Sequence, residues 1–267
     1  MISQIDDEQA VWLLPFFARR ATDSVRIASL LDAYGTGHAF FSIYLQDHHR
    51  AVLAQIDDTF LLMDRGADYA DLARFFQWSP NFARLMGAYA PLEKIAARLP
   101  GGVLDRYVRM AAYAVIPANV PEVRIERSPD LRDVYAVEGA TCAPFNAWYV
   151  DISHRIRHGC ARAYLVRVDD EPAAACLISA ESRWAGLISS VATGKAWRGR
   201  GFATALVQAA CADLLGCGKL PVLECAFSLC TFYTRLGFLR DCEIGTYMPA
   251  DTGRRRLVKA LEAEDTL

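Results

Sequence analysis

The sequence predicts an α/β fold that occurs twice along the chain. Strand-like and helical runs follow each other in the order strand, strand, strand, helix, strand, helix, once in each half. The two series meet near residues 100–121, and 267 residues are enough for two domains of ordinary size. We therefore predict a duplicated fold with domains at residues 1–118 and 119–267. The alternative is that an α/β chain of this length shows such an order by chance.

The second half has the clearer elements, and the first half repeats them more weakly. The elements predicted in the second half are a strand at 123–127, helices at 131–141 and 148–157, strands at 163–169, 172–180 and 186–193, a helix at 202–215, a strand at 222–226, a helix at 229–236 and a strand from Phe238. Those predicted in the first half are strands at 38–44, 51–56 and 60–64, a helix at 69–78, a strand at 82–88, a helix at 92–98 and a closing strand at 107–115.

Composition and charge exclude several classes of protein. Hydrophobic residues make up 53% of the chain and charged residues 22%, which is typical of a chain with a packed core. The 29 basic and 31 acidic residues nearly balance, so neither a nucleic acid nor an anionic membrane is expected as the main partner. No apolar stretch is long enough to cross a bilayer, and residues 1–15 do not resemble a signal peptide. The eight cysteines form no C-x-x-C pair, which predicts reduced thiols in a cytoplasmic protein.

A basic, glycine-rich turn carries the strongest functional signal. Residues 191–204 (VATGKAWRGRGFAT) lead from a strand through this turn into the start of a helix. Glycines let successive backbone N–H groups curve around one point, and the first helical turn adds unbonded donors and a positive dipole end. Arg198 and Arg200 add positive charge, so the segment suits a pyrophosphate, although it matches neither the P-loop nor the G-x-G-x-x-G pattern. The alternative is a turn that only connects a strand to a helix.

A second segment, further along the chain, places a tyrosine on a short helix. Residues 232–238 (FYTRLGF) end that helix at Gly237 and continue into a strand. Together with the turn, this segment resembles the GNAT superfamily of N-acetyltransferases, over about residues 123–249. The family's R-x-x-G-x-[GA] motif matches residues 198–203, and its Y-x-x-x-G-F motif matches residues 233–238. The asparagine that the family has before the tyrosine is replaced here by Ala226.

The resemblance implies a fold, a donor substrate and a set of cofactor contacts. It implies a mixed, mostly antiparallel sheet flanked by helices, with acetyl-CoA as the acyl donor. Backbone groups of the third core strand would contact the pantetheine arm, and these residues are Val191, Ala192 and Thr193. The turn would hold the pyrophosphate through Arg198, Gly199, Arg200, Gly201, Phe202, Ala203 and Thr204.

Transfer of the acyl group needs an amine lone pair, a polarised thioester and a proton for the departing thiolate. Tyr233 is the predicted acid, because a phenol with a pKa of ~10 is only slightly weaker than a thiol at ~8.5. The alternative is a core aromatic whose hydroxyl bonds to backbone. Glu224, on the strand before the tyrosine helix, is the candidate base. The alternative for Glu224 is an edge or surface acid without a catalytic role. Other candidates for the base are Asp151 and His154, in the helix after Trp148, and a water chain.

The turn of the first half lacks the features of the second. Residues 64–69 (DRGADY) offer one glycine and two acids where a phosphate needs donors and positive charge. This half therefore resembles a degenerate copy without a CoA site, and is interpreted as a structural or substrate-shaping partner. His154 and His158 are spaced i, i+4 on a predicted helix, but no acid or cysteine lies in register with them, so no metal site is predicted.

These observations predict a cytoplasmic enzyme that moves acetyl from acetyl-CoA to a primary amine of a small molecule. A homo-oligomer is compatible with the sequence. One alternative is a CoA-binding sensor or scaffold without turnover. Another is an acyltransferase that uses a larger acyl group or a protein amine. The sequence does not identify the acceptor.

Overall fold

A computed structural model of the chain describes residues 1–79, 82–118, 120–138 and 144–250. Its first elements are β1 (Ile2–Ile5), α1 (Asp7–Ala10), α2 (Leu14–Arg19), α3 (Ala21–Tyr34), β2 (Phe41–Gln46), β3 (Ala51–Ile56), β4 (Thr59–Asp64), α4 (Tyr69–Trp78), β5 (Arg84–Ala88), α5 (Tyr89–Ala96) and β6 (Val103–Ala112). They are followed by β7 (Ile125–Arg127), α6 (Leu131–Glu138), α7 (Phe145–Arg157), β8 (Arg162–Val168), β9 (Glu171–Glu181), β10 (Ala185–Thr193), α8 (Phe202–Gly216), β11 (Leu220–Cys225), α9 (Cys230–Arg235) and β12 (Phe238–Met248).

Two compact units share these elements. Unit 1 consists of residues 1–10, residues 36–107 and the described residues from 243 onward, and unit 2 consists of residues 11–35 and 108–242. Strands β6 and β12 each pass from one unit to the other within their length. Each unit therefore contains segments from both halves of the sequence. The division between residues 118 and 119 stays a prediction about the sequence repeat.

Unit 1 contains a sheet with the strand order β1-β2-β3-β4-β5-β12. Among its described strands, β4 and β5 are parallel neighbours and the other pairs are antiparallel. Asp68 caps the start of helix α4, and its carboxylate accepts hydrogen bonds from the N–H groups of Ala70 and Asp71. Leu72 and Phe76 on its inner face pack into a core that the sheet closes.

Unit 2 contains a sheet with the strand order β6-β11-β10-β9-β8-β7. Among its described strands, β10 and β11 are parallel neighbours and the other neighbouring pairs are antiparallel. Helix α8 packs on one face, together with Cys176 of β9. Helices α6 and α7 cover the opposite face at Leu177. Helix α3 covers that same face further along, where Val25 packs with Val222 of β11.

The predicted order of elements is confirmed in both halves. The first series is β2-β3-β4-α4-β5-α5 and the second is β8-β9-β10-α8-β11-α9. In each series the last two strands are parallel, β4 with β5 and β10 with β11. The predicted helix at 69–78 and strand at 51–56 coincide with α4 and β3. For the predicted helix at 131–141, residues 139–141 lie outside the described part of the chain. The repeated order and the repeated parallel pair make up the predicted duplication.

The strand predicted to close the first copy pairs with a strand of unit 2 instead. Residues 108–111 of β6 pair with residues 222–225 of β11 in unit 2. The sheet of unit 1 is instead completed by residues 244–247 of β12, which pair with residues 85–88 of β5. The interpretation of residues 107–115 as a closing strand of the first copy is therefore wrong. Alternation of apolar residues identifies a strand, but it does not say which neighbour that strand has.

The N-terminal helices were not predicted. Helix α3 buries Val25, Ile27 and Leu30, yet its buried surface also includes Ser24 and Ser29. Both hydroxyls donate to backbone carbonyls, those of residues 17 and 26. Because serines interrupt the apolar stripe, the 3.6-residue periodicity is weak in the sequence even though the helix is packed against a sheet.

Candidate active site

The glycine-rich turn joins β10 to α8, as the sequence predicts. Gly199 and Gly201 have φ angles of +77° and +84°, a backbone conformation that favours glycine. Gly201 is the residue before the first turn of α8, and it has no side chain that could cap the N–H groups of that turn. The first backbone bond of the helix runs from the N–H of Ala205 to the carbonyl of Gly201. The N–H groups of residues 202–204 therefore point out of the helix end without an intrahelical partner.

The basic side chains of this turn form no ion pair with an acid in the ranges that the structure describes. The Nε of Arg198 donates to the carbonyl oxygen of Thr193 at 3.2 Å, which holds the guanidinium beside the end of β10. The guanidinium of Arg200 lies over the rings of Trp197 and Phe202, 5.1 and 6.0 Å from their centroids. Neither arginine forms an ion pair with a residue in the described part of the chain. The turn thus combines free backbone donors with two positive charges.

Strands β10 and β11 part next to this turn. Their parallel pairing runs from Ala185 with Leu220 to Ile188 with Leu223 and then ends. Strand β10 continues to Thr193, so among the described residues its edge toward β11 has no strand partner over residues 189–193. A bulge interrupts its register with β9 over the same stretch, where Ser190 has a φ of +50°. The predicted pantetheine contacts at residues 191–193 lie along this unpaired edge.

Tyr233 lies on α9 with its ring in the core and its hydroxyl unbonded. The side chain is 8% exposed and its ring packs against Phe232 and Phe238 at centroid distances of 4.9 and 5.9 Å. Within the described part of the chain, no hydrogen bond joins the hydroxyl to another residue. Burial raises the pKa of Tyr233 to about 12, and the nearby thiols of Cys225 and Cys176 add to this effect. A buried, unbonded hydroxyl costs about 1–3 kcal/mol, so it is not explained by packing alone.

Tyr233 belongs to the same core cluster as Cys225 and Cys176, and Val191 of β10 packs against that cluster. Cys225 is the last residue of β11. Cys176 lies on β9 opposite the bulge of β10, because its neighbours Leu177 and Ala175 pair with Ser189 and Ala192, one on each side of that bulge. Tyr233 therefore packs near the point where β10 and β11 part. The turn, the unpaired edge of β10 and the phenol occupy one region of unit 2.

Glu224 is not part of this region. Its neighbours Leu223 and Cys225 point to the face that carries α8 and Tyr233, and alternation along the strand sends Glu224 to the opposite face. There its carboxylate contacts Arg26 of α3 at 2.8 Å and Arg109 of β6 at 3.0 Å. Burial by itself would raise the pKa of Glu224, but the two guanidinium groups outweigh it and lower that pKa below its ordinary value.

Arg109 is the centre of a buried ion network that the sequence analysis missed. Its side chain is 7% exposed and contacts both Glu224 and Asp23, and Asp23 also pairs with Arg20 at 2.5 Å. The network fastens α3 to the sheet of unit 2. A signal was present, because Arg109 interrupts an apolar strand run (YVRMAA), and a charge in such a run needs a buried partner.

Asp151 and His154, the alternative bases, lie on α7. Asp151 accepts from Nε of Arg155 at 2.7 Å. His154 shares a 2.9 Å hydrogen bond with the hydroxyl of Tyr34, and its ring stacks on that tyrosine. His158 packs against Tyr34 as well, so the histidine pair belongs to an aromatic cluster that joins α7 to α3. Within the described ranges, no group of three or more His, Cys, Asp or Glu side chains is placed to hold a metal ion.

The corresponding turn of unit 1 uses its own acids to fill its donors. Asp64 accepts from the N–H groups of Gly66 and Ala67 at 3.3 and 2.9 Å, and Asp68 accepts from the first turn of α4. A phosphate at this helix end would meet carboxylates in place of free donors. The geometry gives a physical reason for the degenerate character that the sequence of this turn indicates.

The fold agrees with the family to which the sequence is similar. Residues 122–238 match the sequence profile of the Acetyltransferase (GNAT) family, and the match includes the turn, β10, β11 and Tyr233. This segment is a GNAT domain. No helix in the described part of the chain is both long and apolar enough to span a membrane. No curated protein sequence matches the chain.

Several solved structures share the fold over both units. A protein from Novosphingobium aromaticivorans that is assigned to the GNAT acetyltransferases has 18% identity and a TM-score of 0.55, with 89% of this chain and 99% of that chain covered. A tandem GNAT protein from the clavulanic acid biosynthesis pathway has 14% identity and a TM-score of 0.60, with 94% and 99% covered. A GCN5-related N-acetyltransferase from Sphaerobacter thermophilus has 16% identity and a TM-score of 0.52, with 92% and 94% covered. At these identities the likeness shows a shared fold, and the GNAT domain makes acyl transfer the general class of reaction.

Proposed function

We propose that the protein transfers an acetyl group from acetyl-CoA to a primary amine of a small molecule. The observation that carries this proposal is the hydroxyl of Tyr233, which bonds to no residue in the described part of the chain. Tyr233 packs near the point where β10 and β11 part, and the glycine-rich turn with its free donors follows β10. A structural tyrosine would use its hydroxyl in the fold. A hydroxyl kept free in a buried region suits a group that bonds to a substrate.

The pyrophosphate of the donor would bind at the turn. The N–H groups of residues 202–204 and the positive end of α8 would face its oxygens, and Arg198 and Arg200 would supply charge. Gly199 and Gly201 would let the backbone approach closely. The pantetheine arm would then extend along β10, because an amide chain can bond to the unpaired backbone of residues 189–193 as a neighbouring strand would.

The acetyl transfer would proceed by direct attack. The nitrogen lone pair of the amine forms a bond to the thioester carbon, the carbon–sulfur bond breaks, and the sulfur leaves as a thiolate. The Tyr233 hydroxyl would donate a hydrogen bond to that sulfur. With a pKa of about 12 the phenol is fully protonated near neutral pH, so it is ready to donate. Full transfer of the phenol proton to a thiolate of pKa ~8.5 would cost about 5 kcal/mol. This transfer would therefore occur only as the new amide nitrogen loses its own proton.

The proton acceptor for the amine would be water. Glu224 binds a proton weakly, since Arg26 and Arg109 lower its pKa, and its carboxylate faces away from the Tyr233 side of the sheet. A base must reach the proton that it removes. We therefore propose a structural role for Glu224, in the network that holds α3.

A reducing compartment such as the cytoplasm is the proposed setting. The described cysteines are free thiols, and Cys160, Cys176, Cys211, Cys225 and Cys230 are buried. Free thiols in this number are typical of proteins that work where disulfides do not form.

The reaction class is tested directly with acetyl-CoA and a panel of small primary amines, by following the release of the CoA thiol. We expect turnover above the rate of spontaneous hydrolysis with at least one amine, and an N-acetylated product by mass spectrometry. Tight binding of acetyl-CoA with no product from a broad panel that includes a protein amine would contradict the transferase proposal and favour a CoA sensor.

Gly201→Glu is expected to weaken binding of CoA at least about tenfold, because the new carboxylate would stand where the pyrophosphate needs donors. The matched control is Gly218→Glu, beyond the other end of α8. Both glycines have positive φ, +84° and +69°, so both variants carry similar backbone strain and the same added charge. The added Cβ at Gly201 would also meet Cδ of Pro121 at 3.0 Å, whereas Gly218 faces open space.

The readout is the rise in melting temperature on adding CoA, since a ligand that binds only the native state stabilises it. Wild type and Gly218→Glu should show the same rise, and Gly201→Glu should show little or none. An equal rise in all three proteins would mean that the cofactor binds elsewhere.

A further inference from the structure

Unit 2 contains a cavity that the transferase chemistry does not use. Its volume is about 630 Å³, which is in the range of small-molecule sites, and it lies between α7, the start of β8 and the last turn of α8. Its lining includes no residue of the turn, of β10, of β11 or of α9. The cavity is therefore separate from the region around Tyr233.

An uncovered strand edge forms one wall of this cavity. Strand β7 ends at Arg127, which pairs with Tyr164, and the next bond, from the N–H of Ser128 to the carbonyl of Ala163, is 3.3 Å long. Ser128 then turns the chain away with a φ of +109°, which is a strained value for a residue other than glycine. As a result, β8 has no strand neighbour on this side before residue 164 within the part of the chain that the structure describes. Backbone strain of this kind clusters at functional sites, among them active sites and ligand clamps.

The charges around the cavity are paired, with one exception. Asp213 accepts from Arg127 at 2.8 Å and from the hydroxyl of Tyr164 at 3.1 Å. Arg162 forms two bonds to Glu181, which is buried beside it. Arg157, at the end of α7, has no ion pair or hydrogen bond with any residue that the structure describes. One positive charge at the rim is therefore available to a ligand.

The rest of the lining is largely apolar. Leu131, Ile156, Ala161 and Ala163 contribute hydrocarbon surface, and the hydroxyl of Tyr149 has no partner among the described residues. A fully polar ligand would leave this surface in contact with water, and a hydrocarbon would leave Arg157 unpaired. We propose that this cavity is a second ligand site, which binds a small carboxylate with an aromatic or aliphatic body. The carboxylate would pair with Arg157 and the body would lie against Ile156 and Ala161.

The proposal is tested by calorimetric titration of the 267-residue chain with 4-phenylbutyrate and with its uncharged analogue 4-phenylbutan-1-ol. We expect one molecule of 4-phenylbutyrate to bind, and the alcohol to bind at least about tenfold more weakly because it cannot pair with a guanidinium. Arg157→Gln should reduce the affinity for the carboxylate to that for the alcohol. Arg132→Gln, an exposed arginine on α6 outside the lining, should bind as wild type does.

Three outcomes would overturn the proposal. They are no saturable binding at millimolar 4-phenylbutyrate, unchanged affinity in Arg157→Gln, and displacement of the carboxylate by CoA, which would mean that it occupies the transferase region. Both arginine sites are exposed, so neither variant is expected to unfold the protein.

Discussion

Tyr233→Phe is expected to lower the turnover number by about 10²–10⁴ while the affinity for acetyl-CoA stays within a few-fold, because the variant loses a positioned proton donor and keeps the ring. The hydroxyl has no bond to lose in the described fold, so the melting temperature should not fall. Removing an unbonded buried hydroxyl is instead expected to leave stability unchanged or slightly raised. Steady-state kinetics with an accepted amine and calorimetric binding of acetyl-CoA measure the two effects separately.

The control for this variant is Tyr247→Phe in unit 1. Tyr247 is also buried, but its hydroxyl donates to the carbonyl of Gly101. This variant should lose about 1 kcal/mol of stability, the usual net contribution of such a bond, and keep its turnover. If Tyr233→Phe lost binding together with turnover, the hydroxyl would anchor the cofactor. If its turnover were unchanged, another group or water would protonate the thiolate.

Arg109→Met is expected to lower the free energy of unfolding by about 3–5 kcal/mol, because it leaves Glu224 and Asp23 buried without their shared partner. The matched control is Arg183→Met. That arginine also pairs with an acid of α3, Asp32, but its side chain is 60% exposed, so the loss should be about 1 kcal/mol or less. Urea unfolding monitored by circular dichroism measures both values. A loss below about 1 kcal/mol in Arg109→Met would mean that the network does not hold α3.

The same network predicts how stability depends on pH. The folded state lowers the pKa of Glu224, so its stabilising contribution is complete above the pKa of an unfolded glutamate, ~4.3, and is lost as the pH falls through the lower folded value. Wild type should therefore become less stable below about pH 4, and Glu224→Gln should show a smaller loss over the same range. An identical acid profile in the two proteins would contradict the lowered pKa.

The sequence allowed the local parts of the candidate site to be predicted, but not the contacts between distant segments. The strand, turn and helix over residues 191–204 follow from glycine placement and periodicity, and both are local properties. The orientation of Glu224 depends on which face of β11 meets which helix. The covering helix on that face is α3, about two hundred residues earlier in the chain, and serines weaken its periodicity. For the same reason the sequence could not predict the exchange of β6 and β12, in which β6 pairs with β11 and β12 pairs with β5. Pairing between distant strands leaves no local pattern.

That exchange has a consequence for synthesis on the ribosome. Strand β6 is made early and joins β11 of unit 2, whereas the last strand of unit 1 is residues 244–247 of β12. A nascent chain that has reached residue 242 already contains every segment of unit 2. At that moment unit 1 still has β5 with one edge unpaired, and such an edge can pair with another nascent chain. Every segment of unit 2 is thus made before the last strand of unit 1, and the edge of β5 stays unprotected until residues 244–247 are available.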